Sequence, residues 1–259
     1  MTQAEVVVYT SPQLLAAAAA ARLVTRLVDL QATKGSASLV LTGGGTGIAV
    51  LEQLRRSPAR DAVDWSRLDL YWGDERFVPA GDAERNERQA REALLDHVPV
   101  DPKRVHAMAP SDGEFGDDVD AAAEAYARVL AEHARPEDHG DVPGFDITLL
   151  GLGPEGHTAS VFPESPAVYE TERSVVAVRN CPKPPHTRVS LTLPAIRRSH
   201  DVWLMTTGEA KADAVALALS GAGEVQLPVA GARGARRTLW LLDSTAASKL
   251  SHVYRPPTA

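Results

Sequence analysis

Short runs of β-branched and apolar residues alternate along this chain with longer stretches whose apolar positions recur at helical spacing. Glu5-Val6-Val7-Val8-Tyr9-Thr10 predicts a first strand, after which Ser11-Pro12 supplies a cap residue and an N1 proline for a helix reaching about residue 32. Ala37-Ser38-Leu39-Val40-Leu41-Thr42 predicts a second strand, which runs straight into Gly43-Gly44-Gly45-Thr46-Gly47 and a helix over 48–56. A third strand, Arg67 to Trp72, ends in Gly73-Asp74-Glu75-Arg76 and is followed by a helical segment from Asn86 to Leu95. Residues 111–118 and 135–144 read as surface connections on either side of a helix from Val119 to His133. Phe145 to Leu150 is the fourth strong strand and feeds Gly151-Leu152-Gly153-Pro154-Glu155-Gly156-His157. Later strands are expected at 174–178, 187–193, 201–206 and 237–242, with a helix at 209–220.

This alternation implies an α/β fold with a mainly parallel sheet covered on both faces. In such sheets ligands bind beyond the carboxyl ends of the strands, so the loops after residues 42, 72 and 150 are expected to converge on one cleft. A length of 259 residues fits a single domain spanning 1–259. With 44% hydrophobic and 24% charged residues the chain is neither disordered nor membrane-like in composition. The net charge of -7 argues against a nucleic-acid surface, so an anionic substrate must be held by a few local cations. The single cysteine, Cys181, excludes an internal disulfide and fits a reducing compartment. No basic leader and no spanning apolar segment is visible, and the expectation is a cytoplasmic protein with no membrane partner.

Glycines before a helix allow backbone N–H groups and the helix dipole to face an anion, which makes Gly43 to Gly47 a candidate phosphate loop. No Gly-Lys-Ser/Thr follows, so it is not a nucleoside triphosphate loop. Gly151, Gly153 and Gly156 match the dinucleotide fingerprint by letter, but Pro154 and Glu155 occupy the turn that a pyrophosphate needs, and the match is far from the first strand–helix unit. His157 at the end of that loop points instead to acid–base chemistry. Asp74, Glu75 and Arg76 follow the third strand, where adjacent charges make either a solvated turn or a carboxylate that orients or charge-stabilises a histidine across the cleft. Arg188 and Lys211 are further candidate cations for an anionic group. There is no Gly-x-Ser-x-Gly elbow, no activating base beside Cys181 and no zinc-ligand spacing, which leaves general-base activation of water.

Taken together, several motifs resemble the 6-phosphogluconolactonase family. They are Thr42 to Thr46; Trp72-Gly73-Asp74-Glu75-Arg76-Phe77-Val78-Pro79 with Asp82 and Asn86; Gly151 to Pro163; Pro184 to Thr192; and Gly208-Glu209-Ala210-Lys211-Ala212. The resemblance runs in order over nearly the whole chain. It implies a three-layer α/β/α sandwich of the glucosamine-6-phosphate deaminase type. It also implies hydrolysis of 6-phospho-D-glucono-1,5-lactone to 6-phosphogluconate, the second step of the oxidative pentose phosphate pathway, with no cofactor and no required metal. His157 then takes the place of the general base, with Asp74 orienting or stabilising it. Gly43, Gly44, Gly45 and Thr46 hold either the oxyanion or the phosphate, Gly156 lies beside the base, and Arg76, Arg188 and Lys211 bind the anionic end of the sugar-phosphate lactone. Related deaminases carry Asp-Glu-Tyr where this chain has Asp74-Glu75-Arg76, and Phe-Asn-Glu-Pro where it has Ser160-Val161-Phe162-Pro163. Phe162 cannot relay a proton, which disfavours ring opening. A binding module that keeps the pocket without the chemistry is the other alternative. The lactonase loop usually reads Gly-x-Asp-Gly-His, and Glu155 here keeps that charge with one more methylene. A monomer or weak homo-oligomer is expected.

Overall fold

The computed structural model describes residues 4–138 and 140–250. In chain order the elements are β1 (Glu5–Tyr9), α1 (Pro12–Lys34), β2 (Ala37–Leu41), α2 (Gly44–Arg56), β3 (Leu68–Trp72), β4 (Asp74–Arg76), α3 (Asn86–Ala93) and α4 (Val119–His133). They continue with β5 (Ile147–Leu150), β6 (Val175–Val178), β7 (Arg188–Leu191), α5 (Leu193–Ile196), β8 (Asp201–Thr206), α6 (Ala212–Leu219) and β9 (Arg237–Asp243). The first helix begins as its sequence dictates: the Ser11 hydroxyl accepts a hydrogen bond from the Leu14 N–H at 3.2 Å, and Pro12 occupies the first turn. It stops at Gly35, whose φ of 82° is left-handed.

Six strands pair in parallel in the order β1-β9-β8-β5-β2-β3. Side chains alternate strictly across this sheet. Leu39, Leu41, Leu70, Trp72, Ile147, Leu149, Trp203 and Met205 face the layer of α1, α2 and α3. Val40, Tyr71, Leu150, Val202 and Leu204 face the other layer, which holds α4 and α6. Burying a fully enclosed leucine such as Leu15, Leu23 or Leu27 on α1 stabilises the fold by about 1.5–3 kcal/mol each.

The strands expected at 174–178 and 187–193 form, and they lie outside the parallel sheet. As β6 and β7 they pair antiparallel with each other, and β7 pairs antiparallel with β4, in a separate three-stranded sheet ordered β4-β7-β6 and packed in the second layer with α4. The segment Gly73 to Arg76, expected as a loop, therefore contains a three-residue strand, with Asp74 opposite Ser190 and Arg76 opposite Arg188. Gly44 to Gly47 likewise form the first turn of α2, where a loop was expected before residue 48. No helix among the described residues is long and apolar enough to cross a membrane.

The connections from β2 and β5 run to opposite sides of the sheet, β2 toward β3 and β5 toward β8. The crevice between their carboxyl ends is a topological switch point, the place where α/β sheets leave room for a ligand.

Candidate active site

Two of the three expected loops leave the sheet at that switch point, and the third leaves β3 beside it. All three contribute to one cavity of about 160 Å³, lined among others by Gly43, Gly44, Asp74, Arg76, Gly153, His157, Arg188 and Lys211. A second cavity of about 400 Å³ adjoins it and extends along Gly45, Thr46, Gly47, Thr206 and Thr207. Thr42, Gly43, Gly44, Gly151, Leu152 and Lys211 line both, so the two form lobes of one cleft.

The His157 side chain is placed by its own loop. The Gly156 N–H donates to the Gly153 carbonyl and the Gly153 N–H to the His157 carbonyl, each at 2.9 Å, and the imidazole folds back over the turn. A Cβ on Gly153 would lie 1.9 Å from His157 Nδ1, so no larger residue permits this approach. Gly156 has φ +89°, and a Cβ there would meet Leu227 at 2.1 Å. The ring stacks on Phe162 with centroids 4.5 Å apart.

His157 Nδ1 lies 2.9 Å from Glu155 Oε1, and Glu155 Oε2 accepts from Lys183 Nζ at 3.1 Å. A carboxylate partner requires Nδ1 to carry the proton, which leaves Nε2 as a lone-pair acceptor with no partner among the described residues. Burial lowers the His157 pKa below its ordinary 6.5; Glu155 pulls it upward and Lys183 adds to the lowering. The imidazole is thus neutral near pH 7. Burial would raise the Glu155 pKa, but a backbone hydrogen bond, His157 and Lys183 bring it below its usual value.

The orienting contact expected from Asp74 is therefore made by Glu155, while Asp74 acts on His157 through its charge, which favours the protonated ring. Asp74 shares the cavity and is 6% exposed, but its Oδ2 accepts from the Ser160 hydroxyl at 2.6 Å and faces Arg188 Nη1 at 3.9 Å. The physical reason is its short strand: pairing of β4 with β7 aims Asp74 at Ser160 and Arg188. Glu75, its neighbour, is a structural clamp. Its oxygens accept from the backbone N–H groups of Arg76, Asn86 and Glu87 at 2.7–2.9 Å, which fixes the start of α3.

The three candidate cations differ in availability. Arg188 lines the cavity, yet its Nε and Nη2 donate to the carbonyls of Pro185, Lys183 and Pro184 and brace that segment. Arg76 donates through Nη1 to the Glu84 carbonyl at 2.6 Å. Lys211 makes no side-chain hydrogen bond or ion pair among the described residues and lines both lobes. Its pKa is lowered by burial first and by Lys183 second, with Glu155 opposing. In the larger lobe α2 starts after Gly43, which gives it no side-chain cap, and the Thr46 and Thr207 hydroxyls meet at 3.0 Å. Its lining contains no carboxylate. Among the described residues no group of three or more His, Cys, Asp or Glu could hold a metal ion.

Lys183 and Ser160 were not singled out from the sequence. Ser160 at least sits inside the 151–163 motif. Lys183 carries no spacing signal, because it reaches Glu155 only through the connection between β6 and β7.

Comparison with known proteins follows the same lines. The family of glucosamine-6-phosphate isomerases and 6-phosphogluconolactonase matches residues 10–240. The chain is 63% identical over 255 residues to a 6-phosphogluconolactonase of Streptomyces coelicolor, covering 98% of both chains. It is 54% identical over 243 residues to a 6-phosphogluconolactonase of Mycobacterium tuberculosis, covering 94% of this chain and 97% of the relative. The solved structure of 6-phosphogluconolactonase from Trypanosoma brucei superposes with a TM-score of 0.84 at 30% identity, over 97% of this chain and 100% of that one.

Proposed function

The chain belongs to the family of glucosamine-6-phosphate isomerases and 6-phosphogluconolactonase, and from that premise we propose that it hydrolyses 6-phospho-D-glucono-1,5-lactone to 6-phosphogluconate. The observation that carries the reading is a half-buried histidine in the cleft whose Nδ1 is held by a carboxylate and whose Nε2 has no partner among the described residues. That arrangement suits a group that must first accept a proton and then return it.

In the proposed mechanism His157 Nε2 takes a proton from water as its oxygen attacks lactone C1. The tetrahedral intermediate collapses with cleavage of the bond between C1 and the ring oxygen, and the imidazolium returns its proton to that oxygen, giving the open-chain acid. Glu155 fixes the tautomer and stabilises the imidazolium formed on the way. Arg76 supplies positive charge in the smaller lobe, where the carbonyl oxygen becomes negative. Asp74 and Arg188 hold Ser160 and the 183–185 segment around the base.

The phosphate goes to the larger lobe. The larger lobe offers the uncapped N-terminus of α2, two threonine hydroxyls and no carboxylate, with Lys211 at its junction with the smaller lobe. This also reads the glycine run as a phosphate site. Ring opening and isomerisation are not favoured, because Phe162 packs against the base where the deaminases have a carboxylate.

The same reading takes residues 1–259 as one cytoplasmic domain, a monomer or weak homo-oligomer that works without a cofactor. The buried thiol of Cys181, the only cysteine, fits a reducing compartment. The direct test follows the decay of freshly generated 6-phosphogluconolactone at neutral pH. Purified protein is expected to accelerate it far above the spontaneous rate, and an unchanged decay would refute the enzymatic reading.

A further inference from the structure

At the end of the main sheet opposite the cleft, a cavity of about 690 Å³ opens where the chain enters the strands. Its floor includes Ala37 at the start of β2, Asp69 in β3, Asp146 just before β5 and His200 just before β8. We propose that this cavity is a second ligand site, for a small anion carrying two or more phosphoryl groups.

Charge and pairing support this. Six Lys and Arg side chains line the cavity against four carboxylates, in a chain whose net charge is -7. The two buried or half-buried acids of the floor are already engaged. Asp146 accepts from Lys34 and from the Ser38 N–H, and Asp69 accepts from Arg104 at 2.8 Å. Arg26 is paired with Asp201 at 3.3 Å.

Lys103, Arg135 and Arg236 remain, beside the two other carboxylates of the lining, Glu137 and Asp138, of which Asp138 accepts from the Arg135 backbone N–H at 2.7 Å. The side chains of these cations make no hydrogen bond or ion pair among the described residues, although most exposed cations elsewhere on this surface find a partner, as Arg237 does with Glu5 and Lys249 with Asp213. The three come from separate segments: the turn Pro102–Arg104, the connection after α4, and the lead into β9. Three unpaired cations converging from three segments match several anionic groups on one ligand better than a single carboxylate.

His200 reports the same field. Burial lowers its pKa first, and Arg236 and then Lys34 add to the lowering against the opposing pull of Asp146 and Asp201. One wall is aromatic: Tyr71 stacks on His106 at 4.5 Å, and His106 meets His133 edge-on at 4.2 Å, with Tyr71 and His133 both lining the cavity. The volume lies in the range of pockets that hold small metabolites. Because it lies at the other end of the strands from His157, it can fill while the cleft is occupied.

The test is a calorimetric titration of the full chain with inorganic tripolyphosphate, run with the cleft filled by 6-phosphogluconate and repeated on Lys211→Ala. Saturable one-to-one binding is expected in both cases. An Arg135→Ala/Arg236→Ala double variant is expected to bind about tenfold more weakly or worse, with wild-type lactone hydrolysis and melting temperature showing that the fold is intact. Three results would overturn the proposal: no saturable binding at millimolar concentration, loss of binding when the cleft is filled or Lys211 is removed, or undiminished binding by the double variant. Should the double variant fail to fold, Lys103→Ala gives the same comparison.

Discussion

The two lobes of the cleft are made of opposite materials. Around His157 the lobe consists of side chains that hold one another: Lys183 on Glu155, Glu155 on His157, and Ser160 and Arg188 on Asp74. Along α2 it consists of backbone and hydroxyls, with Lys211 as a cation without a partner among the described residues and with no acid. Under the proposed mechanism the contrast follows from what each lobe has to do. A base must keep one tautomer and one orientation through a proton cycle, which takes a network. A phosphate arrives already charged, so donors that need no partner in the empty state suffice.

Removing the base should have the largest effect. His157→Ala is expected to lower kcat by about 10²–10⁴-fold, with KM little changed, in a steady-state assay of lactone hydrolysis. Removing the cation of the other lobe should act on binding instead. Lys211→Ala is expected to raise KM by about 10–100-fold, the size of a lost hydrogen bond to a charged group, with kcat nearly kept. If Lys211→Ala lowered kcat and left KM alone, the division of labour between the lobes would be wrong.

What the sequence revealed about these lobes differs for physical reasons. The strand-to-loop junctions at residues 42, 72 and 150 were legible because apolar β runs end abruptly in glycine and charge, and a parallel sheet puts such junctions at one end. The glycine run was legible as a junction opening on the cleft. Its helical state was not, because four weak helix formers open α2 and only packing of Val50, Leu51 and Leu54 holds that first turn in a helix. The network around His157 was harder to read. Asp74 lies in a three-residue polar strand whose direction depends on pairing with β7 more than a hundred residues away. Glu155 faces His157 only because the Gly153–Gly156 turn folds the ring back, and Lys183 depends on the same distant hairpin. Strand ends and their convergence were visible, and the side-chain contacts made within the loops and across the second sheet were not.

A smaller effect sharpens the account of the network. Lys183 lowers the His157 pKa, so Lys183→Ala is expected to raise it and to move the acid limb of the kcat/KM profile to higher pH. Activity requires the neutral imidazole and is lost as the pH falls through that value.

Glu155→Gln tests the central claim most directly, because Glu155 acts on His157 in the opposite sense. In wild type the acid limb of kcat/KM for lactone hydrolysis, measured between pH 4.5 and 7.5, is expected to lie below the ordinary histidine value of 6.5. Glu155→Gln removes a charge that holds the imidazole's proton, so the limb should move to still lower pH while kcat falls about tenfold through loss of the fixed tautomer. A limb that stays in place with unchanged kcat would contradict the assignment of Glu155 and His157 as one working unit.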